Sequence, residues 1–281
     1  MRNRYFGIVE GFYYTPYDLK QRLDLIKFLS SIKLDTYVYG PKQDIFHRKK
    51  WFADYPRSKM KEFRELLALS KAYHIRFNYA LSPMQEPKSS KIIRKIRSML
   101  ELGITDFSLF FDDITVPLSK ETAQKQAHAA NELYDFLLTK IIDPVLFFCP
   151  TQYYGLKDTE YLKTIARVLY RPVRIFWTGP HVVSKRIDRD HIEKITGIIK
   201  RKPLIWDNLF ANDYLPGVVL NFPYQYRVPE TASKTSGILI NPMNQYYLSK
   251  RLIYTFAVFK RSPYAYIPGR AWQKACSYAE D

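Results

Sequence analysis

Cysteine is scarce in this 281-residue chain. There are two, Cys149 and Cys276, too few for a disulfide framework, and no CxxC or His/Cys cluster points to a zinc site. Phosphate cradles are missing too: there is no GxxxxGK[ST], and the turn after the first apolar run, Glu10-Gly-Phe-Tyr-Tyr-Thr-Pro16, is not GxGxxG. No run of 18 apolar residues is present to span a membrane, and the opening MRNRYFGIVEGF lacks the long apolar stretch of a secretory signal. These absences predict a soluble, intracellular protein with no membrane partner. Acid is also in short supply, with 27 Asp+Glu against 44 Lys+Arg and a formal charge of +17.

Such a charge suggests phosphate-rich partners, because basic proteins gain affinity by releasing counterions. Its distribution argues otherwise. Residues 1–150 carry 24 basic and 17 acidic side chains, residues 151–281 carry 20 and 10, and there is no basic tail or long Lys/Arg block. The densest stretch, Lys88 to Arg97, interleaves its charges with Ile92, Ile93, Ile96, Met99 and Leu100. That pattern predicts an amphipathic helix over 88–102 with a solvated basic face. Charge alone therefore does not make nucleic acid the expected partner.

Present instead are eight short apolar runs, rich in aromatic and β-branched residues, most of them followed by amphipathic segments. The runs are 5–12, 36–40, 74–81, 106–113, 145–150, 174–178, 203–207 and 237–241. Helical periodicity covers 16–32, 58–73, 88–102, 118–141, 158–169, 184–200 and 246–260. Strands apolar on both faces and joined by crossovers imply a parallel sheet. Eight such units at this length predict a single-domain α/β fold, the (β/α)8 TIM barrel, over residues 1–281. The stretch 208–236 is the longest irregular segment.

Barrel chemistry gathers at the carboxyl ends of the strands. Those ends carry Glu10-Gly11-Phe12-Tyr13, Lys42-Gln43-Asp44, Asp112-Asp113, Thr151 to Tyr154, Trp177 to Pro180, Trp206 to Tyr214 and Asn241 to Asn244. Acids, amides, aromatic rings and one lysine suit a sugar, whose hydroxyls take polar groups and whose apolar face takes Trp and Tyr. Asp112-Asp113 is the sharpest feature. Two acids ending the run Phe107–Phe111 are expected to be partly desolvated, with pKa values pushed apart so that one serves as a general acid. Adjacent strand residues point apart, so the two would address different atoms of one substrate. Capping of the following helix by one Asp and magnesium binding by the pair are the competing readings. Cys149, in an apolar strand, reads as an inert core thiol. His74, His128, His181 and His191 share no ligand spacing, and His47 reads as structural support for the Lys42 loop. No metal and no cofactor is expected.

The ordered set of motifs resembles glycoside hydrolase family 84, the β-N-acetylglucosaminidases, a group that includes enzymes acting on O-GlcNAc-modified proteins. Its V-E-G-F-Y-G-x-P-W is matched by Val9–Tyr17, its Y-A-P-K-D-D-x-x-H-R by Tyr39–Arg48, and its F-D-D-I by Phe111–Ile114 without change. C-P-T-x-Y matches Cys149–Tyr153, W-T-G-P matches Trp177–Pro180, W-D-N-x-x-A-N-D-Y matches Trp206–Tyr214, and N-P-M-N matches Asn241–Asn244. Each motif is weak alone; seven in order are specific.

The resemblance implies a retaining exo-β-N-acetylglucosaminidase that releases terminal GlcNAc from a glycoprotein or glycan through an oxazoline formed by the substrate's own acetamide. It implies that Asp112 orients the acetamide and that Asp113 is the acid–base. Tyr153 would bond near the acetamide, Trp206 wall its pocket, and Asn208 align it together with Asp112. Gly11 (through its backbone), Lys42, Asp213 and Asn241 would hold sugar hydroxyls. Tyr13 and Tyr214 would be walls. Tyr14, Tyr17, Gln43 and Phe210 depart from the family pattern, the first two in a way expected to narrow the entrance. The helical C-terminal domain of larger relatives is not expected within the chain, so leaving-group contacts from it are missing or come from a second copy in a homo-oligomer. A catalytically silent glycan-binding barrel is the alternative.

Overall fold

The computed structural model describes residues 4–215 and 217–278; the ends of the 1–281 span and Pro216 of the long loop lie outside the described residues. Eight parallel strands close in sequence order into a barrel: β1 Tyr5–Glu10, β2 Thr36–Tyr39, β3 Arg76–Leu81, β4 Asp106–Phe110, β5 Val145–Cys149, β6 Arg174–Trp177, β7 Leu204–Asp207 and β8 Gly237–Ile240. The last strand pairs with the first, Tyr5 opposite Gly237. This is the expected (β/α)8 barrel, with strands up to three residues shorter at their ends than the apolar runs suggested. Alternation along each strand makes two cores. Val9, Val38, Ala80, Phe110, Phe147, Phe176, Trp206 and Leu239 fill one. Residues of opposite parity, such as Ile8, Tyr37, Tyr79, Leu109, Phe148 and Ile240, pack in the other with the helices.

The helices around the barrel are α1 Leu19–Ser31, α2 Arg57–Ala72, α3 Ser89–Glu101, α4 Lys120–Leu138, α5 Glu160–Val168, α6 Arg189–Ile199, α7 Pro229–Ser233, α8 Tyr246–Arg261 and α9 Pro268–Tyr278. Several start later than periodicity predicts because side-chain caps set the boundary. Asp18 and Gln21 form a capping box that starts α1 at Leu19. Asp188 and His191 do the same for α6. The short α7 breaks the segment expected to be irregular, and α9 was not anticipated. One further expectation needs correcting: the face of α3 is not wholly solvated. Lys95 is buried, with Nζ bonded to Ala53 O and 4.0 Å above the Tyr55 ring, and burial pulls its pKa down to about 8. Among the described residues no helix is long and apolar enough to cross a membrane.

Candidate active site

A cavity of about 580 Å³ opens at the carboxyl ends of the strands. All nine residues expected at the site line it: Gly11, Lys42, Asp112, Asp113, Tyr153, Trp206, Asn208, Asp213 and Asn241. Seven of the eight βα connections contribute to the lining or to its immediate support, so each short motif ends at one wall of the same space.

The two acids sit differently from the strand-based picture. β4 ends at Phe110, and Asp112-Asp113 form a turn, with Asp113 in the left-handed region at φ 54°. Few non-glycine residues occupy that region, and here it is held by what the side chain touches. Rather than diverging, both carboxylates face one ammonium group. Lys42 Nζ bonds Asp112 Oδ2 directly and lies 3.7 Å from Asp113 Oδ2. The helix that follows is capped by Ser119, whose Oγ accepts from Thr122 N, so neither Asp caps it.

Electrostatics follow from this geometry. Burial pulls the Lys42 pKa down, but Asp112 and then Asp113 more than offset it, leaving it raised. Lys42 is thus a buried cation between two acids that also lines the cavity. Asp112 is buried, and its second oxygen, Oδ1, has no hydrogen-bond partner. Asp113 is more open, its side chain 31% exposed. Oδ1 accepts from Tyr153 OH at 2.7 Å and Oδ2 from Tyr13 OH at 2.8 Å. Burial pushes the Asp113 carboxyl up, but Lys42, the two phenol hydrogen bonds and Arg48 together hold it below the usual carboxylate range. Asp113 is therefore lowered rather than raised, because Lys42 supplies compensating charge beside it.

The opposite wall is a relay of amides. Gly11 N donates to Asn241 Oδ1 (3.1 Å), Asn241 Nδ2 to Asn208 Oδ1 (3.0 Å), and Trp206 Nε1 to the same Asn208 oxygen (3.0 Å). Asn208 Nδ2 donates to Val182 O at 2.8 Å. Asn208 thus orders Trp206, Asn241 and the β6 loop; no bond joins it to Asp112. Gly11 is required by close approach: a Cβ there would stand 2.2 Å from the Trp206 ring. Asp213 Oδ2 accepts from Tyr13 N (2.8 Å), tying the β7 loop to the β1 loop.

Two residues outside the expected site belong to it. Tyr13, read as a wall, places its hydroxyl on Asp113. Arg48 donates to that hydroxyl (3.0 Å) and to Asp113 O (3.4 Å) while lying over the Tyr13 ring. Arg48 closes the Tyr39–Arg48 motif, the only signal that could have found it. Two acids in the strand-end collection are diverted elsewhere. Glu10 is buried against Arg22 (2.6 and 2.9 Å) and Tyr37 OH. Asp207 is buried against Arg227 (2.6 and 2.8 Å) and Tyr224 OH. Both pairs brace the loops bearing Gly11 and Asn208.

Other departures resolve similarly. Tyr17 is buried, with its hydroxyl on Met243 O at 2.7 Å, so it does not narrow the entrance. Tyr14, 62% exposed, lines the rim. Phe210 is buried against Phe222 and Tyr224, Gln43 is exposed, and Tyr214 lies exposed on the cavity edge. Cys149 reaches the cavity floor, but burial keeps its thiol protonated. His47 bonds Ala80 O through Nδ1 at 2.8 Å, and burial pulls its pKa down to about 3, consistent with a structural role. Among the described residues no group of three or more His, Cys, Asp or Glu could hold a metal ion.

Comparison with known proteins points the same way. Residues 6–281 match the β-N-acetylglucosaminidase family. The protein O-GlcNAcases of Rattus norvegicus and Mus musculus are each 36% identical over 276 residues, covering 91% of this chain. The chain spans only 30% of their length. A solved structure of a Thermobaculum terrenum O-GlcNAc hydrolase mutant superposes with a TM-score of 0.94 at 33% identity, covering 99% of this chain and 64% of that one.

Proposed function

The chain belongs to the β-N-acetylglucosaminidase family of glycoside hydrolases, and from that premise we propose that it removes terminal β-linked GlcNAc with retention, through an oxazoline formed by the substrate's own acetamide. The observation that carries this reading is the Asp112–Lys42–Asp113 arrangement at the cavity floor. A retaining enzyme with its own nucleophile places two carboxyls on opposite sides of the scissile bond, about 5 Å apart. Here adjacent acids share one turn and one cation, an arrangement that fits one acid orienting the substrate's acetamide and the other serving the leaving group.

In this mechanism Asp112, paired with Lys42, accepts the acetamide N–H on its unpartnered Oδ1. The acetamide oxygen becomes a better nucleophile and bonds to the anomeric carbon as the glycosidic bond breaks. Asp113 gives its proton to the departing oxygen, then takes one from the water that opens the oxazoline. General acid–base assistance of this kind contributes ~10²–10⁴ in rate. Trp206 walls the acetamide, and Asp213, Asn241 and the Gly11 backbone hold ring hydroxyls. Because Asp113 is held below the usual carboxylate range, substrate must raise it. A bound sugar does so by excluding water and by drawing the Tyr153 and Tyr13 hydroxyls toward its own oxygens.

The substrate class is a β-GlcNAc-bearing glycoprotein or glycan, and protein-borne O-GlcNAc is favoured by the activity named for the relatives. The test is hydrolysis of aryl β-GlcNAc glycosides of graded leaving-group quality, with the first-formed anomer read by NMR. Asp112→Asn should lose activity on every substrate. Asp113→Asn should spare those whose leaving group needs no proton. No turnover by folded protein, or an α-configured first product, overturns the proposal.

A further inference from the structure

A site of acids and amides accounts for none of the +17 charge. Part of that charge converges on the flank of the barrel, where a second cavity, of about 510 Å³, opens between α5 and α6. It is lined by Lys163, Arg167, Arg171, Lys194 and Lys200, with a single acid, Asp158. Lys163 and Arg167 stand four residues apart on α5, Arg171 follows in the turn beyond that helix, Lys194 comes from α6 and Lys200 caps its C-terminal end. Like charges four residues apart on a helix, as Lys163 and Arg167 are, oppose one another.

The compensation present is thin. Lys163 meets Asp158 at 3.4 Å and Arg167 meets Glu160 at 3.9 Å, all four side chains more than half exposed. Among the described residues Arg171, Lys194 and Lys200 have no ion pair, and the Arg171 guanidinium donates to Lys200 O. Arg201 donates to four carbonyls at the end of α5 and just beyond it, those of Ala166, Leu169, Tyr170 and Val173. Its Nε is buried without a partner. Burial, then Arg171 and Arg174, lower its pKa to about 10. Gly197, exposed on α6, leaves that side of the groove open: a Cβ there would meet nothing within 4 Å.

We propose that this groove binds a compact oligophosphate. Five cations around one small cavity call for several negative charges in little volume, which a phosphate chain supplies and an extended acidic peptide does not. The guanidinium forks of Arg167 and Arg171 match phosphate oxygens two at a time. The groove is separate from the catalytic cavity, since it lies along the flanking helices and shares no lining residue with it.

The test is calorimetric titration of the whole chain with sodium tripolyphosphate at low and physiological salt. Two variants accompany it: Arg171→Gln/Lys194→Gln, both exposed groove residues, and Lys20→Gln/Lys61→Gln, which removes equal charge elsewhere. Saturable one-to-one binding, weakened at least ~10-fold in the groove variant and by salt but unchanged in the control, supports the proposal. Both variants should keep wild-type glycosidase activity, which also verifies folding. ATP in a parallel arm distinguishes sources: equal affinity identifies a free phosphate chain as ligand, and tighter binding identifies a nucleotide. Absence of saturable binding at low salt, or equal loss in the control variant, overturns it. So does a preference for duplex DNA over tripolyphosphate that disappears in the groove variant.

Discussion

Replacing Tyr13 with Phe removes one oxygen and changes one hydrogen bond to the proposed acid–base residue. In the native site Asp113 Oδ2 accepts from Tyr13 OH at 2.8 Å, and this bond helps hold the carboxyl below its usual range. A hydrogen bond to a charged group contributes ~1.5–3 kcal/mol. Asp113 is 31% exposed, so solvent screening places the effect near the lower end, about 1.4 kcal/mol or one pH unit. The assay is the pH dependence of kcat/KM on a chromogenic β-GlcNAc glycoside, which reports groups of the free enzyme. Asp113 must be protonated to act as an acid, so kcat/KM descends as pH rises through its pKa. In Tyr13→Phe that descending limb should move up by about one pH unit, whatever happens to its height. Stability gives an independent sign check. A carboxyl with a depressed folded pKa contributes stability above its unfolded value near 3.9, and loses it as pH falls through the folded value. The variant should therefore be less stable than wild type at neutral pH, and the two should converge in strong acid. A limb that stays put or moves down would refute the role given to Tyr13.

Four further outcomes follow from the same contacts. Arg22→Met strands the buried Glu10 carboxylate and should cost ~3–5 kcal/mol in urea denaturation; a loss under about 1 kcal/mol would mean the pair is dispensable. Gly11→Ala drives a methyl into the Trp206 ring and should cost ~1–3 kcal/mol and raise KM, with a change in tryptophan fluorescence. His47, neutral at a pKa of about 3 when folded and near 6.5 when unfolded, should make stability fall as pH drops from 6.5 towards 3, by up to ~1.4 kcal/mol per pH unit; a variant lacking this imidazole should show a flatter profile. Iodoacetamide should label Cys276, which is partly exposed, and leave buried Cys149 untouched in the folded protein; mass spectrometry of the peptides decides.

Much of this molecule was legible in the sequence because its signals are local. The apolar runs at β1 to β8 report a sheet buried on both faces, and they stop where the functional residues begin. Since every strand of such a barrel ends on the same side, the residues after those runs had to meet, and all nine expected there line one cavity. Boundaries were less legible where a cap overrode periodicity, as at Asp18 and Asp188. What only the tertiary structure decided is how charges and hydrogen bonds pair. Lys42 is 70 residues from Asp112, Tyr13 is 100 from Asp113, and Asn208 is 33 from Asn241. Glu10 and Asp207 have the same strand-end address as the proposed catalytic acids, yet Arg22 and Arg227 claim them for the loops' foundations. Periodicity and composition act over a few residues and determine what surrounds the cavity. The partner of each buried charge depends on loops arriving from separate βα units, and no local pattern encodes that meeting.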